Sequence, residues 1–228
     1  MGAVYGSTRD GIILYSSFHT VYVGGYPVTY PPTQNPVIVS SGAYVTNDNG
    51  GDAIYGQAGV AWNLTNLGTV AEPSQSWSAV ALGSGGTIVN GSIGSTTALM
   101  TSGSDTALLF NVGAVINYGT IESTSTTVTP TGIFFAAFLE KGGSVTNGTS
   151  ESNQALIQSS AGGVTIGGVK GVSYPNAQGT VTNFGTIETT GSGLLGGPGV
   201  NLDSGGSVSN FGTIQSIGGI GVSLKYGG

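Results

Sequence analysis

The sequence predicts an all-β fold, a single-domain β-solenoid made of Gly- and Asn-rich repeats. The first observation is the stretch 205–214, GGSVSNFGTI, which returns almost unchanged at 179–187 as GTVTNFGTI. The second is the alternation of apolar and small polar residues within each copy, which has the period of a strand. The third is an Asn that recurs with spacings of 24, 27, 30, 36 and 27 residues. Self-similarity at this period is typical of a solenoid.

Each repeat contains two predicted strands joined by a Gly-rich turn. The first strand carries a Leu eight residues before the Asn, at Leu82, Leu109, Leu139 and Leu202. Strands stacked about 4.8 Å apart would bury such residues as continuous columns. We expect one column of the second strand to contain Leu64, Ile88, Val115, Val145, Val181 and Val208. We expect another column, after the Asn, to contain Val70, Ile93, Ile121, Ile187 and Ile214, with a break at Ser150.

The recurring Asn residues predict a structural ladder. Asn tolerates the left-handed conformation at a corner, and stacked Asn side chains can hydrogen-bond to one another along a stack of strands. The predicted ladder consists of Asn66, Asn90, Asn117, Asn147, Asn183 and Asn210.

Residues 1–58 differ from the regular repeats at 59–228, since they hold seven of the ten Tyr and four of the eight Pro. The segment 11–14 resembles the first strand of a repeat, and 41–47 resembles the second. Pro31 and Pro32 between them are incompatible with a paired central strand. We therefore expect atypical first coils, or a cap, with a protruding loop.

Aromatic residues supply two candidate contact surfaces. Tyr22, Tyr26 and Tyr30 follow one another at a spacing of four residues. Tyr is amphipathic, so these side chains could stack on sugars, dock a neighbouring subunit or cover the open end of the core. A second cluster, Phe134, Phe135 and Phe138, is either an enlarged core or a contact surface.

The final residues, 221–228, match 199–206, so the repeat ends in mid-unit. An open last coil exposes strand edges and core, and we expect Leu224 and Tyr226 to contact whatever covers it. Either the chain is a piece of a longer array or the open end meets the first coil of another copy. Head-to-tail contacts of this kind generate a homopolymer.

Composition excludes several classes of protein. The net charge is −6 and only four residues are cationic, which argues against nucleic-acid binding. No apolar run approaches the roughly 20 residues of a membrane span. The chain has no Cys and one His, His19, which leaves neither a disulfide framework nor a His-based metal site.

Carboxylates are the remaining candidates for chemistry. Glu122 and Glu188 follow the Thr-Ile pair of their repeats, and Glu151 aligns with them if one missing residue is allowed. In a column of three acids, the neighbouring charges would raise the pKa of one carboxyl group or recruit Ca²⁺, and paired acids could also cleave a glycosidic bond. Alternatively, the three acids form a solvent-facing polar row. Asp48 and Asp52, in a loop rich in oxygen ligands, are further Ca²⁺ candidates. No other cofactor is expected.

The unit at 199–214 resembles the repeats in passenger regions of bacterial autotransporters and large surface adhesins, and the likeness covers about 59–228. The resemblance implies a secreted, right-handed parallel β-helix that acts as a stalk, an adhesin or a component of a biofilm matrix. It implies no catalytic residues. The Tyr- and Pro-rich start lies outside it.

These observations predict a non-enzymatic extracellular structural protein that stacks end to end into a filament, or forms part of a surface stalk. An alternative is a cell-surface adhesin that binds polysaccharide or a host surface through Tyr22, Tyr26 and Tyr30 or through a polar strand face. A third is a β-helix enzyme that degrades polysaccharide with Glu122, Glu151 or Glu188.

Overall fold

The computed structural model describes residues 2–23, 25–126, 134–169, 172–193 and 196–226. Within these ranges the chain is all-β and forms a single-domain β-solenoid of 27 strands, numbered in chain order. Three large sheets, here named A, B and C, run the length of the solenoid. The chain passes through A, C and B in turn, so that each coil adds one strand to each sheet.

All strand pairs within the three large sheets are parallel. Sheet A contains β1 (Gly2–Val4), β5 (Val37–Val39), β8 (Trp62–Asn66), β11 (Gly86–Asn90), β14 (Gly113–Asn117), β17 (Gly143–Asn147), β22 (Gly179–Asn183) and β25 (Gly206–Asn210). Sheet B contains β2 (Ile12–Leu14), β7 (Ile54–Gly56), β10 (Val80–Leu82), β13 (Ala107–Leu109), β16 (Phe135–Leu139), β19 (Gly162–Ile166), β24 (Val200–Leu202) and β27 (Val222–Leu224). Sheet C contains β6 (Tyr44–Val45), β9 (Thr69–Glu72), β12 (Leu99–Ser102), β15 (Thr120–Ser123), β18 (Leu156–Ser159), β23 (Thr186–Thr189) and β26 (Thr213–Ser216). Thr8 pairs with Val45 as an isolated bridge and supplies the sheet C position of the first coil.

The core lies between the three sheets and consists of stacked apolar columns. The predicted column in sheet A is confirmed, because Leu64, Ile88, Val115, Val145, Val181 and Val208 are successive partners in the register. The Leu residues of sheet B also stack, with Ile166 between Leu139 and Leu202. Burying these side chains at about 25 cal/mol per Å² is what stabilises a chain so rich in Gly and Ser.

The predicted column in sheet C is partly wrong. The stacked residues are Val45, Val70, Met100, Ile121, Ile157, Ile187 and Ile214. Ile93 is 55% exposed and Ser150 lies in a turn, so neither belongs to it. A positive-φ Gly directly after the Asn, Gly91 or Gly148, turns the chain out of the coil, and the chain returns several residues later.

Apart from the segment between β2 and β5, the described residues up to 58 form coils of the same solenoid. The segment 11–14 supplies β2, as predicted, but the prediction that 41–47 is the second strand of a repeat is wrong. That strand is β5, and Val39 takes the position opposite Asn66. Tyr44–Val45 pairs instead with β9 in sheet C, because the chain has already turned the corner after β5.

Two antiparallel hairpins project from the solenoid in the described part of the chain. The predicted loop is β3 (His19–Val23) paired with β4 (Tyr26–Tyr30), between β2 and β5. The second hairpin, β20 (Gly168–Val169) with β21 (Val172–Ser173), lies between β19 and β22 and accounts for the long spacing before Asn183. Both hairpins therefore leave the solenoid where sheet B leads to sheet A.

The Phe cluster is buried. Phe134, Phe135 and Phe138 are each less than a tenth exposed, and the rings of Phe135 and Phe138 lie 5.2 Å apart. They enlarge the packed region around β16. No helix in the described part of the chain has the length and apolar character that crossing a bilayer demands.

Candidate functional site

The Asn ladder is present from Asn66 to Asn210. Each Nδ2 donates to the Oδ1 of the next Asn, at 2.8 Å from Asn66 to Asn90, 2.9 Å to Asn117, and 2.8 Å for each later step to Asn147, Asn183 and Asn210. Each Nδ2 of Asn66 to Asn183 also donates to backbone carbonyls in sheet C, as Asn90 does to Thr120 O at 2.9 Å. The ladder thus satisfies polar groups at the fully buried corner between sheets A and C.

A second polar column was not predicted. At the ends of the sheet C strands, Ser102, Ser123, Ser159, Thr189 and Ser216 are successive partners in the register. Their hydroxyls bond to the backbone at the corner toward sheet B, as Ser123 Oγ does to Ser104 O at 2.7 Å. Glu72 precedes them in the same column. A Ser or Thr two positions after the buried apolar residue was the signal in the sequence.

The structure does not form the predicted column of three carboxylates. Glu122 and Glu188 lie on the outward face of sheet C with Gln158 between them, so their strands are about 9.6 Å apart. Glu151 is exposed in the turn that leaves the coil after Asn147, and its inclusion in the column was wrong. The missing residue in that repeat marks an excursion of the chain and not a shortened strand.

The loop 47–52 holds its two carboxylates apart. Asp48 pairs with Arg9 at 3.3 Å on the surface, whereas Asp52 Oδ1 accepts the Ser78 N–H at 2.7 Å. Asn47 closes the loop, since its Nδ2 donates to Asp52 O at 3.2 Å and its Oδ1 accepts the Asn49 N–H at 3.1 Å. Among the described residues, no three His, Asp or Glu side chains are grouped closely enough to hold a metal ion.

The three Tyr residues of the β3–β4 hairpin do not cover the core. Tyr22 and Tyr26 are 76% and 75% exposed. Because side chains alternate along a strand, Tyr26 and Tyr30 share one face of the hairpin and Tyr22 lies on the other. Tyr30 belongs instead to an aromatic stack at the base of the hairpin, where His19 lies between it and Tyr15 with ring centroids 5.6 and 3.4 Å away.

A groove runs over the outward face of sheet B, and we name it the Trp77 groove. It comprises two adjoining cavities of about 440 and 450 Å³. Both are bordered by Asp52, Trp77 and Phe110. Ile13, Asn47 and Tyr55 line one end; Gln75, Ser76, Ser104, Asp105, Leu108 and Phe134 are among the residues that line the other.

Backbone hydrogen bonds fix the acids of the groove. Asp105 Oδ1 accepts the Phe135 N–H at 2.7 Å, the same arrangement that Asp52 makes with Ser78. Burial raises the pKa of Asp52, the nearby carboxylate of Glu72 raises it further, and the bond from Ser78 opposes both effects. Glu72 is itself buried, and its Oε2 has no hydrogen-bond partner among the described residues.

Sequence reasoning missed the groove. Trp77 and Phe110 lie at corners outside the repeated stretch, so no periodicity marks them. Trp62, the other Trp, begins β8 and is buried, with its Nε1 donating to Gln57 O at 2.9 Å. Only the three-dimensional structure separates a core Trp from an exposed one.

The last coil exposes the end of the core. Leu224 is 44% exposed, whereas its partner Leu202 in the preceding coil is fully buried. Phe211 is largely exposed and stacks on Phe184 at 4.8 Å. Tyr226, the other predicted interface residue, is almost fully exposed.

No protein-family model, curated protein or solved structure matches this chain.

Proposed function

We propose that this chain is a non-enzymatic, extracellular structural protein whose coils form part of a fibre or surface stalk. The observation that carries the proposal is the regular stacking of the coils, since parallel strands, apolar columns and the Asn ladder repeat from one coil to the next. Strands β25, β26 and β27, in the last described coil, each have a single neighbour within the described chain.

Parallel strand pairing is the proposed mechanism. The edges of β25 and β27 offer backbone N–H and C=O groups to the first coil of another copy, where β1 and β2 have matching open edges. The position of the ladder Asn is taken by Val4 in that first coil, through its register with Val39 and then Asn66. Junctions between copies would therefore depend on apolar contact and backbone pairing without an Asn–Asn bond.

Composition supports an exported structural role. Fourteen of the 228 residues are charged, and no Cys is present to be oxidised. The resemblance to passenger repeats of surface proteins points to the same location.

Negative-stain electron microscopy of the purified chain, with and without Ca²⁺, tests the proposal. We expect long fibres one solenoid wide. Leu224→Lys, at the exposed end of the core, should shorten them because a charge would be buried at each junction. Val112→Lys, on the side of the solenoid, is the matched control and should leave them unchanged. Monodisperse short rods from the unmodified chain would overturn self-stacking.

A second candidate function is that of a surface adhesin that binds polysaccharide. The observation that favours it is the Trp77 groove, in which an exposed indole lies beside fixed carboxylates. The enzymatic alternative has less support, because Glu151 lies apart from Glu122 and Glu188.

A further inference from the structure

We propose that the Trp77 groove binds a neutral polysaccharide chain lying along the solenoid axis. In this arrangement sugar rings pack on Trp77 and Phe110, and Asp52 accepts hydrogen bonds from sugar hydroxyls. The inference rests on the second candidate function and assigns its site and ligand class.

The aromatic residues of the groove are available for contact. Trp77 is 44% exposed and Phe110 is 37% exposed, and both border the two open cavities of the groove. Aromatic rings present large apolar faces at a small entropic cost, which suits them to pack against the C–H faces of sugar rings. Trp62 shows the contrast, because the same residue type in this chain is fully enclosed when its role is to fill the core.

The polar groups of the groove are held in place before any ligand arrives. Asp52 is anchored through one carboxylate oxygen by the Ser78 N–H, and Asp105 is anchored by the Phe135 N–H. Ser76 and Ser104 add hydroxyls to the same cavity. Convergent, preorganised polar groups that fix the orientation of a ligand are a usual feature of ligand pockets.

The length of the groove favours a chain over a single sugar. It extends from Ile13 in the first coil to Phe134, which precedes the sheet B strand of the fifth coil. Four coil spacings correspond to about 19 Å, enough for several linked sugar units.

Charge selects the ligand class. The acidic residues among the described lining of the groove are Asp52 and Asp105, and buried Glu72 is close enough to act on Asp52. Neither Lys nor Arg is among the described residues that line either cavity. Like charges across an interface oppose binding, so acidic polysaccharides are disfavoured and neutral ones fit.

Titration of the whole chain with neutral hexasaccharides tests the inference. The probes are cellohexaose, laminarihexaose, mannohexaose, xylohexaose and N-acetylchitohexaose, with hexagalacturonate as the acidic control. The readout is Trp fluorescence with acrylamide quenching, which reports on exposed Trp77 because Trp62 is buried. We expect at least one neutral probe to bind and to protect Trp77 from the quencher, and hexagalacturonate not to bind.

Variants then locate the site. The Trp77→Ala variant should bind at least about tenfold more weakly, as measured by calorimetry, because truncation removes an aromatic anchor. Trp77→Phe should retain part of the affinity, because the ring face remains. The double variant Tyr22→Ala, Tyr26→Ala, on the hairpin, should bind like the unmodified chain. Unchanged melting temperatures serve to exclude misfolding.

Three results would overturn the inference. Loss of binding in the Tyr22→Ala, Tyr26→Ala variant, with full affinity in Trp77→Ala, would keep the adhesin function and move its site to the hairpin. Tighter binding of hexagalacturonate than of every neutral probe would exclude the ligand class. Absence of binding to all probes at millimolar concentration would refute both the groove and the adhesin function.

Discussion

Replacing Asn117 by Leu removes one step of the Asn ladder at its centre. The Nδ2 group of Asn117 donates to Gly119 O at 3.0 Å, to Asn147 Oδ1 at 2.8 Å and to Leu156 O at 3.0 Å. Its Oδ1 accepts from Asn90 Nδ2 at 2.9 Å. Leu has a similar size but can make none of these bonds, so the change isolates the polar contribution.

The cost follows from what is left unpaired. Asn147 Oδ1, which is fully buried, loses the N–H that it accepts, and an orphaned buried acceptor costs about 1–3 kcal/mol. Asn90 Nδ2 is less affected, since it still donates to Thr120 O at 2.9 Å. Adding about 1 kcal/mol for the lost bonds to Gly119 O and Leu156 O gives about 3 kcal/mol in all. In a domain of this size that corresponds to a fall in Tm of about 6–12 °C.

Thermal melting, monitored by circular dichroism, measures this fall in Tm. Two variants serve as controls. Asn210→Leu removes the exposed end of the same ladder and should cost less, because water can replace the lost bonds. Asn153→Leu, in an exposed turn, should leave Tm unchanged. If the Asn117→Leu variant has the same Tm as the unmodified chain, the ladder is a geometric consequence of stacking and contributes no stability.

Three further predictions concern the glycine corners, the core register and one acid. Gly143→Ala should destabilise the fold strongly, because φ is 130° there and a Cβ would collide with the backbone of the preceding coil. Gly42→Ala is the control, since a Cβ at Gly42 would meet open space, and urea unfolding compares the stability of the two variants. Ile157→Ala should cost about 2–5 kcal/mol and Ile93→Ala about 0.5 kcal/mol or less in the same assay; the reverse order would refute the corrected column. The raised pKa of Asp52 means that its contribution to stability is present below its ordinary pKa and is lost as pH rises through the raised value. Asp52→Asn should therefore raise Tm relative to the unmodified chain more at neutral pH than at low pH, and a pH-independent difference would contradict the shift.

The repeated sequence was sufficient to predict the buried column of sheet A and the Asn ladder. Where a short stretch recurs almost unchanged, as it does around Asn183 and Asn210, equivalent residues must stack to bury the same columns. Sheet C was harder. Ile93 follows its Asn at nearly the distance of a true core residue. Only the chain path after Gly91 shows that sheet C resumes at Leu99, with Met100 in the buried column.

The candidate site could not be predicted from the repeat. Glu151 matches Glu122 in sequence if one absent residue is allowed, but at that point the chain leaves the coil in a turn. Trp77 and Asp52 are far apart in sequence and meet only because successive coils place their corners side by side. A contact that depends on stacking has no local sequence signal.

The position of the two hairpins fixes the distance between them along the solenoid. Both leave the solenoid at the corner where sheet B leads to sheet A, after β2 in the first coil and after β19 in the sixth. Five coil spacings set their bases about 24 Å apart along one edge. Any single ligand that contacted both hairpins would need contact sites spaced to match that distance. Adding or removing whole coils between β2 and β19 would change the distance in steps of about 4.8 Å and leave each hairpin unaltered.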